Sequence, residues 1–423
     1  MYNCAKVSPL KIIYITVSMP YGAGEQFFIP EVKAMLSHGH DILIVPRSPH
    51  LNLINDDAKD LTAVSLPKSL MTPEILVVAF CEALRHPVRC CQIIHTLFTG
   101  SNIGVLIKNL VVLPKSLWLA NLVKKVGADH IHAQWSSTTA TMAMIAGWLS
   151  GTPWSFTAHR GDIANNNLLE IKIRKASFNR FISRSGLEMA KDICCRPVKG
   201  YAHIIHMGVQ MPSVTHSLRP ESKGPVILCP ANLIPVKGHQ YLLEALSILC
   251  NRGVKCLLHL AGQGKLRGQL EEQVKTLQIT QYVTFLGQIP HDELLKLYRE
   301  GKISIVVLPS IDRGNNEHEG IPVSLMEAMS YGIPCISTTT GGITELLGNG
   351  AGVLVPQKEP LALADAIQEL LQDNQLRNKI AENGYSRVRD EFNVEKSVES
   401  LISLITDSSK PKPGCFYGTL LTY

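Results

Sequence analysis

The run Glu319-Gly320-Ile321-Pro322-Val323-Ser324-Leu325-Met326-Glu327-Ala328-Met329 sets two carboxylates eight residues apart, the first in a turn and the second in a helical pattern. Gly320 permits backbone angles closed to other residues, and Pro322 is tolerated where a helix starts because its missing N–H costs nothing there. The unpaired N–H groups of such a helix start, together with its dipole, attract an anion such as phosphate. A carboxylate beside a phosphate cradle suits chemistry on a sugar attached to a diphosphate. Taken singly, Glu319 and Glu327 read equally well as a helix-start carboxylate and a solvated helix face.

The elements that must position this run alternate strand and helix. Strands are expected at Pro225–Cys229, Lys255–Ala261, Tyr282–Leu286, Ile303–Leu308 and Pro334–Ser337. Helices fall between them, the last over Ile321–Tyr331. Three more helices, Leu361–Asp373, Asn374–Asp390 and Val394–Thr406, close the globular part. The first half opens on the strand Lys11–Val17, a Gly22/Gly24 turn, a helix Phe27–Ser37 and a strand Asp41–Val45, the pattern of a βαβ unit. Later strands are expected at His130–Ala133, Ser155–Ala158, Phe178–Ser183 and Ala202–Ile205. The fold class is therefore α/β with two Rossmann-like, doubly wound domains facing a cleft, where ligands bind at the carboxyl ends of the strands. A linker is expected over Val209–Lys223. The domains read as residues 1–210, residues 211–395, and a C-terminal helix with a loose tail over 396–423, where Pro411, Pro413 and Gly414 lie.

Length and composition agree: 423 residues exceed one ordinary core, and 45% hydrophobic with 18% charged content describes an ordered chain. Residues 1–210 hold 21 Lys and Arg against 13 Asp and Glu, a balance of +8, whereas residues 211–423 hold 20 against 22. The basic half lacks the clustered cations interleaved with aromatics that bind nucleic acid, so no nucleic-acid partner is expected. The eleven cysteines include the adjacent pairs Cys90-Cys91 and Cys194-Cys195 but no C-x-x-C, which reads as reduced, buried thiols in a cytoplasmic protein. The N-terminus MYNCAKVSPL has no secretory-signal pattern. The apolar stretch Gly104–Leu122 is interrupted by Lys108, Asn109, Pro114 and Lys115, and no transmembrane helix is expected. The run from Lys108 to Lys125 reads as a core helix with solvated lysines. A surface docking on anionic lipid, giving peripheral association with the inner face of a membrane, is the alternative.

The second half resembles the retaining GT-B glycosyltransferases, specifically glycosyltransferase family 4. The matching residues are Lys237-Gly238, Ala261-Gly262-Gln263-Gly264, Val283–Gly287, Glu319-Gly320-x-Pro322 with Glu327, Thr340–Glu345 and Gly350-x-Gly352–Pro356, all in order. The first half matches more loosely, through Thr157-Ala158-His159-x-x-Asp162 and His206–Val209. The resemblance is strongest to transferases of bacterial exopolysaccharide and lipopolysaccharide. It implies transfer of a sugar from a nucleotide diphosphate to a hydroxyl of a glycan or lipid-linked acceptor, with retention of configuration. No metal or cofactor is implied, the nucleotide sugar being a substrate.

By the same resemblance Glu319 contacts the donor sugar, Glu327 the ribose hydroxyls and Lys237 the diphosphate, with Gly320, Ile321, Pro322, Gly341 and Gly342 around the donor. The family places an arginine five residues before the lysine, and here that position is Asn232, so either the diphosphate is clamped more weakly or another cation, Arg160 or Arg313, substitutes. His159, after a first-half strand, is a catalytic candidate touching donor sugar or acceptor; its plain reading is a satisfied structural histidine. Gly22, Gly24 and Glu25 form a helix-start loop that would face the acceptor or phosphates, as many such sheets have. Gly341-Gly342 reads by its context as a close backbone approach to the nucleotide, and a tight turn explains it almost as well. Two rivals stay open: a non-catalytic nucleotide-sugar or glycan-binding subunit, and a nucleotide-sugar 2-epimerase.

Overall fold

The structure, a computed structural model, describes residues 8–22, 25–51, 56–99, 102–194, 198, 201–213, 224–314 and 317–409. Gly24, linker residues 214–223, Cys195 and the tail beyond Ser409 lie outside the described residues. The chain divides into two compact units. The first takes the chain to Ile182, then Met189–Ile205 and the chain from Val398; the second takes Ser183–Glu188 and His206–Ser397.

The first unit holds six strands: β1 Lys11–Thr16, β2 Asp41–Pro46, β3 His130–Gln134, β4 Trp154–Ala158, β5 Phe178–Phe181 and β6 Ala202–Ile204. They pair in parallel in the order β2-β1-β3-β4-β5-β6, so the winding reverses between β1 and β3. The second unit holds β7 Val226–Pro230, β8 Leu257–Ala261, β9 Val283–Gly287, β10 Ile305–Leu308, β11 Cys335–Thr338 and β12 Val353–Val355. Their order is β12-β11-β10-β7-β8-β9, all parallel, with the reversal between β7 and β10. Short runs of β-branched and aliphatic residues make β1, β2, β7, β10 and β12, since in parallel sheets buried on both faces every position can be apolar, whereas β3, β4 and β5 bury polar residues as well. The expected two doubly wound α/β units are what the chain forms.

Three expectations are corrected by packing. The helix foreseen from Phe27 begins as a 3-10 turn, Gln26–Phe28, and becomes α-helical over Ile29–Ser37, with Pro30 in its first turn where no N–H is needed. Pro114 interrupts the apolar run but not the helix, which runs Ile103–Val126 through it as the core-helix reading has it, packed against the Pro73–Arg85 and Thr138–Ser150 helices. That packing outweighs the one missing hydrogen bond. Lys115 in this helix is not solvated; it is buried, and its ammonium donates to the carbonyls of Pro46 (2.6 Å), Arg47 (3.0 Å) and Lys68. Of the cysteines expected to be buried, Cys90 is half-buried and Cys91 exposed on the Pro87–Thr99 helix, whereas Cys194 is buried.

The first sheet is pinned by a buried ion pair absent from any sequence pattern. Arg180 on β5 donates to Glu31 of the Ile29–Ser37 helix at 2.5 Å, both side chains being essentially inaccessible. Glu31 also accepts from Tyr14 on β1 (2.7 Å) and Gln134 on β3 (3.0 Å), and Arg180 Nε donates to Ile205 O at 2.9 Å. Removing one member strands the other charge in a medium that cannot solvate it. Arg180→Met should therefore lower unfolding free energy by about 3–5 kcal/mol in urea titration, and the Glu31→Gln/Arg180→Met double variant should recover part of it. A single-variant loss within ~0.5 kcal/mol would show that the pair does not hold the sheet.

Candidate functional site

In a doubly wound sheet the ligand crevice lies where the winding reverses, at the carboxyl ends of the strands. In the second unit those ends belong to β7 and β10. After β7 the chain makes a 3-10 turn, Pro235–Lys237, and enters the His239–Asn251 helix through Gly238. After β10 it runs through Pro309 and Ser310 to Glu319 and the Val323–Ser330 helix. Lys237 Nζ lies 2.5 Å from Glu319 Oε2, and Ser310 Oγ donates to the same oxygen at 3.2 Å. Glu319 Oε1 has no protein partner among the described residues. The two sides are locked by backbone as well: Ile311 N donates to Val236 O at 2.8 Å. A side chain on Gly238, whose φ is +66°, would sit 1.9 Å from Pro309 O.

A third side closes from β11. Gly341, at φ +52°, approaches so closely that a Cβ would lie 1.9 Å from Glu319 O, and a Cβ on Gly342 would lie 2.9 Å from Gly320 C. The glycine pair thus packs its backbone against the backbone of Glu319 and Gly320, as a tight turn does. Gly320 differs from the expectation. Its φ is not in the left-handed region, and a Cβ there would meet nothing, so the fold itself does not require glycine. Pro322 is the N-cap of the Val323–Ser330 helix (φ −75°, ψ 120°), one position earlier than its expected place inside the helix start. No side chain caps this helix start, so the N–H groups of Val323 and Ser324 are left to an anion, while those of Leu325 and Met326 donate to Pro322 O at 3.2 Å. Ile321 is half-buried beside it.

Glu327, one turn into that helix, accepts from His291 Nε2 at 2.7 Å. Asn232, after β7, is exposed and brings no charge. Arg313 is held by both oxygens of Glu317, at 2.9 and 2.8 Å. Glu345, on the Ile343–Leu347 helix, accepts from the Arg184 N–H at 2.9 Å and from His206 Nε2 at 2.8 Å. Burial raises the Glu345 pKa, but those hydrogen bonds, His206 foremost, outweigh it and the carboxyl ends below its ordinary range. Ser310, His291 and His206 were not singled out for these contacts in the sequence, because their partners are 9, 36 and 139 residues away.

In the first unit the carboxyl ends of β1, β3 and β4 gather Glu25, Trp135 and His159. Glu25 does not point to an open surface. It is buried, accepting from the N–H groups of Val17 (3.0 Å), Ser18 (2.7 Å) and Met19 (2.9 Å) and from Trp135 Nε1 (2.8 Å). It organises its own loop, where a Cβ on Gly22 would lie 2.5 Å from Ser18 Oγ. Trp135 holds φ +76°, a conformation that non-glycine residues adopt only under constraint, and its ring lies 4.4 Å from that of His159. His159 also packs edge-on against Phe27 and Phe28; its backbone N–H donates to Asp162 at 2.7 Å, and its Nε2 has no partner among the described residues. Burial, with Arg180 nearby, lowers the His159 pKa to about 3, so the imidazole is neutral. Burial raises Asp162 to about 6 against the N–H groups of Ser136 and His159 that lower it.

Residues 214–387, nearly the whole of the second unit, match the family described as Glycosyl transferases group 1. The chain is 30% identical over 218 residues to WcaL of Salmonella typhimurium, named for colanic acid biosynthesis, covering 51% of this chain and 53% of that protein. It is 30% identical over 205 residues to the amylovoran biosynthesis glycosyltransferase AmsK of Erwinia amylovora, covering 48% and 50%. The chain thus matches about half the length of these relatives. Among solved structures, a glycosyltransferase from Rickettsia africae aligns over 96% of this chain and 100% of its own at 16% identity, with a TM-score of 0.68. Anabaena HepE in complex with UDP aligns over 94% and 100% at 17% identity, with a TM-score of 0.69. At these identities the likeness establishes the fold, the two-domain α/β fold of GT-B glycosyltransferases.

Two measurements check this geometry. Gly341→Ala should cost about 1–3 kcal/mol in unfolding free energy, since backbone must yield, whereas Gly320→Ala should leave stability unchanged; equal effects would refute the assigned roles. The second concerns pH. His130 and His159 titrate near 3 and His239 near 4 in the fold, all through burial. Unfolded imidazoles titrate near 6.5, so the unfolded chain binds more protons and stability falls as pH drops from about 6.5 to about 4. Asp162, raised to about 6 in the fold, opposes this by one group below about pH 6, so the net slope is that of the three histidines less one carboxyl. His159→Phe should flatten that slope by about one proton in urea titrations at stepped pH.

Proposed function

We propose that this protein is a glycosyltransferase that moves a sugar from a nucleotide diphosphate to a hydroxyl of a glycan or lipid-linked acceptor, with retention, in cell-surface polysaccharide synthesis. The observation that carries the reading is the Lys237–Glu319 pair, 2.5 Å apart at the winding reversal of the second unit, beside an open helix start. Lys237 and the helix N–H groups stand ready for the diphosphate and its growing negative charge as the bond to the sugar breaks. Glu319 Oε1 is available to the sugar, and its carboxylate favours the positive charge developing at the anomeric carbon. Glu327 accepts from the ribose hydroxyls with its two oxygens, one of which His291 already orients. The acceptor oxygen bonds to the anomeric carbon on the face the diphosphate leaves, and its proton passes to the departing phosphate oxygen.

No metal ion enters this scheme. His159, neutral and with a buried unpaired Nε2, is assigned a hydrogen bond to a sugar hydroxyl; Trp135 and the Phe27/Phe28 pair fix its ring. Support for the donor class comes from relatives: HepE is described in complex with UDP, with UDP and glucose, and with UDP-glucose. Support for the pathway class comes from the names of AmsK and WcaL, given for amylovoran and colanic acid synthesis. A cytoplasmic setting follows from such a donor and is part of the same proposal.

Exposed, uncharged Asn232 favours one rival, a subunit that binds nucleotide sugar without turning it over. A screen of labelled UDP- and GDP-sugars with an acceptor panel separates the two. The wild type should bind one donor and turn it over, and Glu319→Ala should lower turnover about a hundredfold. Asn232→Arg should tighten donor binding about three- to tenfold by adding a charge-assisted contact. Binding without turnover over the whole panel would select the rival, and unchanged turnover in Glu319→Ala would remove Glu319 from the chemistry.

A further inference from the structure

Three consecutive helices of the first unit, Pro73–Arg85, Pro87–Thr99 and Ile103–Val126, are apolar on two sides. Their inner sides are buried in the unit through Ile75 and Ala79, then Ile93 and Leu97, then Leu106 and Val112. Their outer sides are apolar too. On the first helix Val77, Phe80 and Leu84 form one stripe at helical spacing, with Phe80 65% exposed. The second exposes Val88 and Phe98, and the third exposes Ile103 and Ile107, Ile103 to 74%. The third helix packs on both others. Exposed apolar side chains repeated along three packed helices mark an interaction surface.

The charge around the stripes is one-sided. Over the three helices, residues 73–126 carry six Lys and Arg against two acids, Glu74 and Glu82, a balance of +4; Lys115 is buried, and Glu74 is paired with Lys68 at 2.5 Å. Glu82 is buried and bonded to Arg85 at 2.7 Å, so it offers the surface no negative charge. Arg85, Arg89 and Lys108 are exposed and adjoin Leu84, Val88 and Ile107 in the chain. Apolar stripes interleaved with cations fit an interface of acyl chains and anionic headgroups. A second copy of the chain would set like charges against each other on the same surface. The third helix is long and apolar enough to cross a bilayer, but half of its apolar window is buried and Lys115 at its centre is tied to three carbonyls. It can therefore lie on a membrane while remaining in the fold.

We propose that the outer face of these three helices docks on a lipid bilayer with anionic headgroups. This extends the lipid-linked acceptor of the proposed function, and its test reads binding without turnover, so each can fail alone. The full chain is sedimented with vesicles of phosphatidylcholine, with and without phosphatidylglycerol. The wild type should pellet with the anionic vesicles, less with neutral ones and less at high salt. Phe80→Glu/Ile107→Glu should weaken partition at least about tenfold with unchanged Tm, because the replaced side chains are on the surface. Wild-type protein remaining in the supernatant with both vesicle types would overturn the proposal. So would equal pelleting of the variant, or a dimer in sedimentation velocity that the variant dissociates, which would make the face a self-interface.

Discussion

The pairing of β10 with β7 is the constraint on which the second unit's chemistry depends. Ile305 sits opposite Ile227 and Val306 opposite Leu228, so the two strands end side by side while the connections after them turn to opposite sides of the sheet. No connection crosses that point, and the carboxyl ends of both strands are left uncovered. Lys237 and Glu319, 82 residues apart in the chain, are brought to one position there. Ser310 at the strand end and the Ile311–Val236 backbone bond then fix the distance between charges that would otherwise be solvated independently. An ion pair built this way is preorganised: its members do not have to reorganise when a charged ligand replaces water around them.

Glycines in this unit divide by what a side chain would strike. At Gly238 and Gly341 it would run into a backbone carbonyl 1.9 Å away, so these residues are required by the fold. Gly320 meets no such obstacle, and its lack of a side chain keeps the volume beside Glu319 clear. One residue type therefore serves two ends in adjoining loops: two positions hold the carboxylate, and a third leaves room next to it.

The first unit solves a different problem. Its strand ends are crowded with buried polar groups: the Glu31–Arg180 pair with Tyr14 and Gln134, Lys172 on the carbonyls of Ser136 and Ser137, and Asp162 on two N–H groups. Each is satisfied by several partners, which is what makes burial tolerable. The reward is rigidity where it matters. Trp135 is held in a strained backbone conformation between Glu25 and His159, and the histidine is kept neutral within an aromatic surround. His159 was legible as a strand-end residue; its aromatic surround was not, because Phe27, Phe28 and Trp135 come from other segments.

The sequence by itself determined the alternation of strands and helices, the two α/β units and the motif around Glu319, since these follow from local periodicity and from residues close in the chain. It also marked Lys237 as unusual, a cation just before a helix start. What tertiary structure alone decided were the pairings across distance: Lys237 with Glu319, Glu327 with His291, Glu345 with His206, Glu25 with Trp135. It decided too that Pro114 lies within an unbroken helix and that Lys115 is buried. The physical reason is common to all of these. A local pattern records which face of an element is apolar, but a polar group's partner is set by where the sheet brings other segments, and that geometry exists only once the strands have paired.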